Sequence, residues 1–312
     1  MSVGAVFPSW WTRGIERMAE NDGIVVVAGI GNGSDVSDPP YYPAAGANAI
    51  GVGVIDSTEY ENAEDNLIDF SLARSNHSSS GPTSDGRCGV DIVAPGNCIV
   101  PDSNSLSGYS LCGDWSSFAT PLVAGTTALL TEKAKSDENL SAAVSSDGGN
   151  CVMKAILLNS ARKLPYWHKG AATIDDDIEY SLDLVQGAGA LDAVGAFELL
   201  TAGKKTTGIT EPAGWDSDLI ERSTKSLKYY KFQLVDPADK MITVTLVWNR
   251  HYKDEFPFEA DIENDSDLRI ELWAVDPDLP TKEYLLDYSD TVNDNIEHIH
   301  IEADPRYHGY EI

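Results

Sequence analysis

Basic residues are scarce in this sequence. Its 312 residues include 22 lysines and arginines against 50 aspartates and glutamates, which gives a formal net charge of −28 at pH 7. A surface with this excess of negative charge repels phosphate backbones and anionic lipid headgroups. The composition therefore excludes nucleic acid or an anionic membrane as a partner bound through bulk electrostatics.

Cysteines are also few, and they carry no metal signature. The four cysteines contain no CxxC pair and no spacing typical of a zinc site, so no metal site is predicted from them. In an oxidising compartment they allow two disulfides, and Cys88 and Cys98 are the nearest pair along the chain.

Long apolar runs are missing as well, since none reaches the length of a transmembrane helix. The first residues show no basic-then-apolar leader, so the sequence does not state a localisation.

Acidic clusters raise the question of calcium, whose preferred ligands are oxygens. The candidates are residues 175–179 and, as a somewhat better one, residues 258–265. Neither has the spacing of an EF-hand, and a solvated acidic loop is the alternative for both. No cofactor is required, and calcium binding stays open.

Length and composition indicate a soluble globular protein with room for two domains. Hydrophobic residues make up 42% of the chain and charged residues 23%, which is ordinary for such proteins.

The most informative stretch is residues 113–130, GDWSSFATPLVAGTTALL. Proline is tolerated near the start of a helix, so Pro121 predicts a helix that begins around Ser117 or Phe118. Apolar residues surround the axis of this helix, which predicts that it is fully buried. A serine at the positive end of such a helix is well placed as a nucleophile beside an anion site. The alternative is a serine that serves only as an N-cap.

The segment 117–125, SFATPLVAG, resembles the nucleophile motif of the subtilase family of serine endopeptidases, GTSxAxPxxAG. This resemblance implies that Ser117 is the nucleophile of a peptidase that works through an acyl-serine. Trp115 and Ser116 depart from the glycine and threonine that the family has there. Ser116 keeps a hydroxyl, whereas Trp115 replaces a glycine that permits close approach to the helix.

A second segment, residues 23–32, reads GIVVVAGIGN and is similar to the subtilase strand VVVAAAGN. Its continuous apolar run is typical of a buried parallel strand. The resemblance implies that the side-chain amide of Asn32 completes the oxyanion hole. The alternative for Asn32 is support of a turn with a positive φ angle.

Three further segments extend the resemblance, and they are residues 78–96, 148–161 and 187–193. The order of these motifs implies a subtilisin-like α/β domain, with a parallel sheet and flanking helices, that is N-terminally incomplete. Residues 1–4, MSVG, look like the inside of the family's NMSxG strand, which follows both the aspartate and histidine motifs. We therefore expect residues 1–200 to form the second half of a catalytic domain.

The pattern changes to a period of two residues after about Leu227, which predicts an antiparallel β-sandwich. We assign residues 209–312 to this domain, which is similar to the jelly-roll-like domain that follows some subtilase catalytic domains. His298 and His300 share one face of a predicted strand. They form either half of a metal site, for which no third ligand is evident, or part of a solvated face.

The family's aspartate and histidine motifs are absent from this sequence. None of its six histidines stands in the context HG[ST], and no aspartate stands in the family motif before Asn32. A serine hydroxyl needs an oriented base. We therefore interpret the chain as a fragment, a truncated reading frame or one half of a split protein, inactive in isolation.

Two functions remain in view. The first is a secreted or extracellular serine endopeptidase that acts on polypeptides, in which Ser2, Val3, Gly4 and Gly29, Ile30, Gly31 grip the substrate backbone by β-addition. The second is a non-catalytic subtilase remnant whose sandwich binds protein or carbohydrate. The coding sequence upstream of Met1 distinguishes them, because the aspartate and histidine motifs are expected there for an enzyme and a stop codon for a remnant.

Overall fold

The structure is a computed structural model. It describes ten parts of the chain, which are residues 7–33, 39–57, 70–73, 77–102, 108–113, 115–170, 179–220, 227–238, 240–275 and 283–312. The first expected calcium segment, residues 175–179, lies almost wholly outside the described residues, and Ser2, Val3 and Gly4 lie outside them as well.

A mostly parallel sheet organises the first part of the chain. Strands β1 (Val26–Gly29), β2 (Ala49–Ser57) and β4 (Ile92–Pro95) are parallel, and both β1 and β4 pair with β2. Strand β3 (Phe70–Ala73) pairs with the end of β2 in antiparallel orientation. The apolar run at β1 thus forms a parallel strand, as the sequence predicts.

Four α-helices lie in the described parts of the chain, and one of them packs against β1, β2 and β4. They are α1 (Trp10–Asp22), α2 (Ser116–Lys135), α3 (Gly149–Ser160) and α4 (Ala193–Thr201), with a short 3₁₀ helix over Ser141–Val144. Helix α1 ends at Gly23, whose φ of 62° suits a residue without a side chain. Strands β5 (Asn97–Pro101) and β6 (Tyr109–Gly113) form a separate two-stranded antiparallel ribbon that leads into α2.

Helix α2 begins one residue earlier than expected and is not fully buried. One side packs into the core with Ala119, Val123 and Leu130, while Leu122 is 43% exposed and Leu129 is 69% exposed. The prediction of full burial was wrong because an apolar composition does not show how many sides of a helix are covered. In this structure the sheet and α4 cover only part of its circumference.

A buried ion pair connects α3 to the sheet. Lys154 Nζ lies 3.0 Å from Asp91 Oδ1 and donates to the carbonyl of Ala49 at 2.7 Å. The second carboxylate oxygen, Asp91 Oδ2, accepts the Gly51 N–H at 2.7 Å. Burial raises the pKa of Asp91, and the nearby Lys154 opposes that change. The pair therefore joins the helix to the beginnings of β2 and β4.

Two further sheets make up the last third of the chain. Their strands are β7 (Gly208–Ile209), β8 (Tyr230–Gln233), β9 (Met241–Val247), β10 (Ile270–Val275), β11 (Glu283–Ser289), β12 (Ile296–Glu302) and β13 (Gly309–Glu311). The order is β11-β10-β13-β8-β7 in one sheet and β12-β9 in the other, and only the β7–β8 pair is parallel. Residues of both sheets, such as Leu272 and Ile299, share one apolar core. The antiparallel sheets are thus present as expected, whereas the jelly-roll likeness and the boundaries 1–200 and 209–312 stay predictions.

The two histidines of β12 face a lysine that follows α3. Lys163 Nζ lies 2.8 Å from His298 Nε2 and 4.7 Å from the centre of the Trp167 ring. The Trp167 ring also meets the edges of both His298 and His300. The expected solvated histidine face is therefore wrong, because the segment after α3 covers it and leaves His298 fully buried.

This contact predicts a pH dependence of stability. Burial lowers the pKa of His300 to about 4 and that of His298 well below its ordinary value. Unfolding restores ordinary values near 6.5, so the unfolded chain binds protons that the folded chain refuses as the pH falls from about 6.5 to 4.

The variant His300→Gln removes one such group. The unfolding free energies of the variant and the wild type are measured in urea at pH 7 and at pH 4. The difference, variant minus wild type, is expected to increase by about 1–2 kcal/mol from pH 7 to pH 4. This figure is reduced because His300 is partly exposed. The variant is compared with the wild type at each pH, because other groups also change the stability of both proteins. Burial raises the pKa of Glu16 and of Glu297 to about 7, so these two groups stabilise the folded chain as the pH falls. A difference that stays constant with pH would contradict the prediction.

Candidate active site

The loop after β1 meets the first residue of α2. The amide oxygen of Asn32, Oδ1, accepts the Ser116 N–H at 2.9 Å and the Ser116 hydroxyl at 2.7 Å. Ser116 is buried, and Asn32 is exposed. The structure therefore brings Asn32 to the N-terminus of the helix that carries Ser117, although 84 positions separate Asn32 from Ser116.

These two bonds fix the orientation of the Asn32 amide. A backbone N–H is always a donor, so the atom that accepts the Ser116 N–H must be the amide oxygen. Both bonds use that oxygen, so the NH₂ group of Asn32 is directed away from the Ser116 N–H and hydroxyl. The arrangement presents an oriented hydrogen-bond donor beside the start of α2.

Ser117 is the next residue of the same helical turn. Its side chain is half-buried, and within the described part of the chain its hydroxyl has no hydrogen-bond partner. Trp115 is the N-cap of α2 and offers no side-chain cap. The first N–H groups of a helix lack intrahelical acceptors and carry partial positive charge. Ser117 thus lies at the end of α2 that carries this partial positive charge.

The close approach of β1 to α2 depends on Gly29. A Cβ atom at this position would lie 2.9 Å from Ser116 Oγ and 3.0 Å from Thr120 Oγ1. Neither hydroxyl moves away freely, because Ser116 donates to Asn32 and Thr120 donates to the Ser116 carbonyl at 2.7 Å. A glycine at this position therefore permits the contact between Asn32 and Ser116.

The variant Gly29→Ala is expected to lower the unfolding free energy by about 1–3 kcal/mol, because the added methyl group overpacks this contact. Gly125→Ala is the matched control. It adds one methyl group on α2 itself, where the Cβ meets nothing within 4 Å, and alanine favours a helix by about 1 kcal/mol. Denaturant unfolding measures the unfolding free energies of both variants. Equal values would refute the close approach of β1 to α2.

Backbone groups of two predicted substrate contacts, Ile30 and Gly31, form hydrogen bonds within the protein. Both polar backbone groups of Ile30 are used inside the protein, because its N–H donates to Val52 at 3.0 Å and its carbonyl accepts from Tyr41 at 2.8 Å. The carbonyl of Gly31 accepts the Ser79 N–H at 3.1 Å. These bonds use the Ile30 N–H and one acceptor position of its carbonyl, and the substrate contacts of Gly29, Ile30 and Gly31 stay predictions. Gly29 precedes Ile30 in an extended strand, so its backbone groups point away from β2.

Sequence reasoning missed two features of this site. Ser116, treated as a mild departure from a motif, is the residue that holds Asn32. His77, which has no motif around it, places its ring 4.8 Å from the ring of Trp115, between centroids. The hydroxyl in the motif was a signal for the first feature, whereas the sequence contains no signal for the second.

Metal-binding and membrane-spanning features do not occur in the described residues. No group of three histidine, cysteine, aspartate or glutamate side chains is arranged there to hold a metal ion. No helix in those parts of the chain is both long enough and apolar enough to cross a membrane.

Comparisons with known proteins agree on one family. The model of the subtilase family matches residues 1–195. Thermitase of Thermoactinomyces vulgaris is 32% identical over 184 residues, which cover 58% of this chain and 53% of thermitase. Subtilisin-like protease 2 of Pseudogymnoascus destructans is 35% identical over 130 residues, 42% of this chain and 27% of that protein. The chain thus spans about half, or less, of the length of these relatives.

Among solved structures, the self-cleaved protease domain of PatA matches at 24% identity, with a TM-score of 0.40 and coverage of 63% of this chain and 57% of that one. The prenylagaramide maturation protease PagA matches at 20% identity, with a TM-score of 0.41 and coverage of 64% and 60%.

Proposed function

The chain belongs to the subtilase family of serine proteases, and from this premise we propose that it carries the nucleophile and the oxyanion hole of a peptide-cleaving centre. Ser117 is the proposed nucleophile and Asn32 the proposed oxyanion donor. The observation that carries this proposal is the pair of hydrogen bonds from Ser116 to Asn32 Oδ1. These bonds hold the amide of Asn32 beside the helical turn that presents Ser117.

In the proposed reaction the Ser117 hydroxyl attacks the carbonyl carbon of a polypeptide substrate. Negative charge then develops on the carbonyl oxygen, where the NH₂ group of Asn32 and the backbone N–H of Ser117 donate hydrogen bonds. Collapse of the intermediate releases the amine product and leaves an acyl-serine, which water hydrolyses. Gly29 is the proposed contact for the substrate backbone.

The reaction also needs a base for the Ser117 proton, and the family's aspartate and histidine motifs do not occur in these 312 residues. We therefore propose that both groups come from sequence outside this chain. The extended protein denotes this chain preceded in frame by a segment that carries both motifs. An extracellular location and any calcium requirement are likewise proposals.

Labelling with a fluorophosphonate tests the assignment, because this reagent modifies only an activated serine. The extended protein is expected to be labelled at Ser117, located by peptide mass spectrometry, and the 312-residue chain is not. Absence of labelling in the extended protein would favour the non-catalytic remnant. Labelling of the short chain that disappears in His77→Ala would instead identify His77 as the base.

The variant Asn32→Asp removes the oxyanion donor and keeps an acceptor for both bonds from Ser116. It also places a negative oxygen beside the developing charge, so kcat of the extended protein is expected to fall by at least about 10²- to 10³-fold, which is the size of the loss for the donor alone in a subtilisin. KM is expected to change little, because the donor acts mainly in the transition state. A loss below tenfold, with an unchanged melting temperature, would refute the role of Asn32.

A further inference from the structure

The ribbon that precedes α2 places two cysteines opposite each other. Cys98 of β5 and Cys112 of β6 are register partners, and the register runs without interruption from Asn97 to Pro101. The Asp102 N–H donates to the Gly108 carbonyl at 2.8 Å, and alternation along the ladder makes the cysteines a hydrogen-bonded pair. Their Cα atoms are then about 5.5 Å apart, which is within the range that disulfides span.

The side chains can also reach each other. Directly opposed Cβ atoms lie about 4.5–5.5 Å apart, and a disulfide needs about 3.5–4.5 Å. The required closure is on the order of 1 Å. Among the described strands, β5 and β6 pair only with each other, so no third strand opposes a change in their twist.

The four thiols differ sharply in their surroundings. Cys98 and Cys112 are both exposed. Cys88 is buried against Ser181 and Leu182, and burial raises its pKa well above the ordinary value. Burial likewise raises the pKa of Cys151 to about 12. Thiolates are the reactive species in disulfide exchange, so the two exposed cysteines are the accessible ones.

We propose that Cys98 and Cys112 form a redox-responsive pair that closes to a cross-strand disulfide. The oxidant is a low-molecular-weight disulfide such as oxidised glutathione. One cysteine thiolate attacks it, forms a mixed disulfide and releases one glutathione thiolate. The other cysteine thiolate then attacks the protein sulfur and releases the second glutathione. The two protein thiols are oxidised, and their two protons end on the released glutathione thiolates, which gives two glutathione thiols.

The position of this pair gives the bond a structural consequence. Strand β6 ends at Gly113, and the Trp115 N–H donates to the Gly96 carbonyl at 3.1 Å, just before β5. This hydrogen bond thus connects the residue before β5 to the N-cap of α2. A disulfide between Cys98 and Cys112 fixes the two strands together immediately before the turn that carries Ser116 and Ser117.

The test uses the folded 312-residue chain and oxidised glutathione. We expect a product lighter by two hydrogens and a non-reduced peptide map that links Cys98 to Cys112, with both fast-reacting thiols lost together. Cys98→Ser is expected to stop at the mixed disulfide on Cys112, and the control Cys151→Ser to close normally. Stable glutathione adducts on both cysteines of the wild type, a bond to Cys88 or Cys151, or no loss of thiols would each overturn the proposal. None of these outcomes depends on peptidase activity.

Discussion

Ser117→Ala is expected to reduce peptide cleavage by the extended protein by about 10⁶-fold, the size of this loss for the nucleophile in a subtilisin. Ser116→Ala is expected to cost about tenfold or less. That change removes one hydrogen bond to Asn32 but leaves the backbone N–H bond, and a single bond of this kind contributes about 0.5–1.5 kcal/mol.

The two adjacent serines make this a matched pair, because each variant removes one hydroxyl from the same helical turn. The structure separates them by environment, since Ser116 is buried and donates to Asn32 whereas Ser117 is half-buried. Steady-state kinetics with a peptide substrate measure both variants, and circular dichroism checks their fold. If Ser116→Ala abolished cleavage and Ser117→Ala retained it, the assignments would be reversed.

Lys154→Met is expected to lower the unfolding free energy of the 312-residue chain by about 3–5 kcal/mol. The substitution leaves the buried Asp91 carboxylate without its cation, and removing one partner of a buried pair costs about this much. The deficit is expected to shrink as the pH falls. Without Lys154 the pKa of folded Asp91 rises further above its unfolded value, so a protonated, neutral carboxyl forms and offsets part of the loss.

Two controls accompany this variant. Lys133→Met removes the partner of Asp137 from a half-exposed pair at 2.9 Å at the C-terminal end of α2, and it is expected to cost about 0.5 kcal/mol. The double variant Asp91→Asn with Lys154→Met removes both charges and keeps an acceptor for the Gly51 N–H, so it is expected to lose less than the sum of the single variants. Additive losses in denaturant unfolding would show that the charges do not interact.

The regular elements were largely predictable because each depends on a local pattern. The apolar run before Gly29 formed strand β1 within the expected segment 23–32. The motif around Pro121 likewise located α2 to within one residue. Patterns of this kind are carried by neighbouring residues, so they can be recognised without knowledge of the rest of the fold.

Contacts between distant segments were not predictable in the same way. Only the family resemblance predicts that Asn32 and the start of α2 lie close together. The sequence does not show that Ser116 binds the side-chain amide of Asn32. Cys88 and Cys98 are nearest along the chain, whereas the strand register places Cys98 opposite Cys112. The burial of His298 requires the segment after α3, which is more than a hundred residues away. Each of these features depends on which surfaces meet, and periodicity does not contain that information.

The exposure of Asn32 has a consequence for the chemical lifetime of the protein. Gly33 follows Asn32, and an asparagine before glycine is the dipeptide most prone to cyclise through the next backbone nitrogen and lose ammonia. Asparagine is for this reason among the residues that shorten protein lifetime at high temperature. Deamidation at this position replaces the amide by a carboxylate, on an aspartyl or an isoaspartyl backbone, so an aged molecule lacks the NH₂ donor.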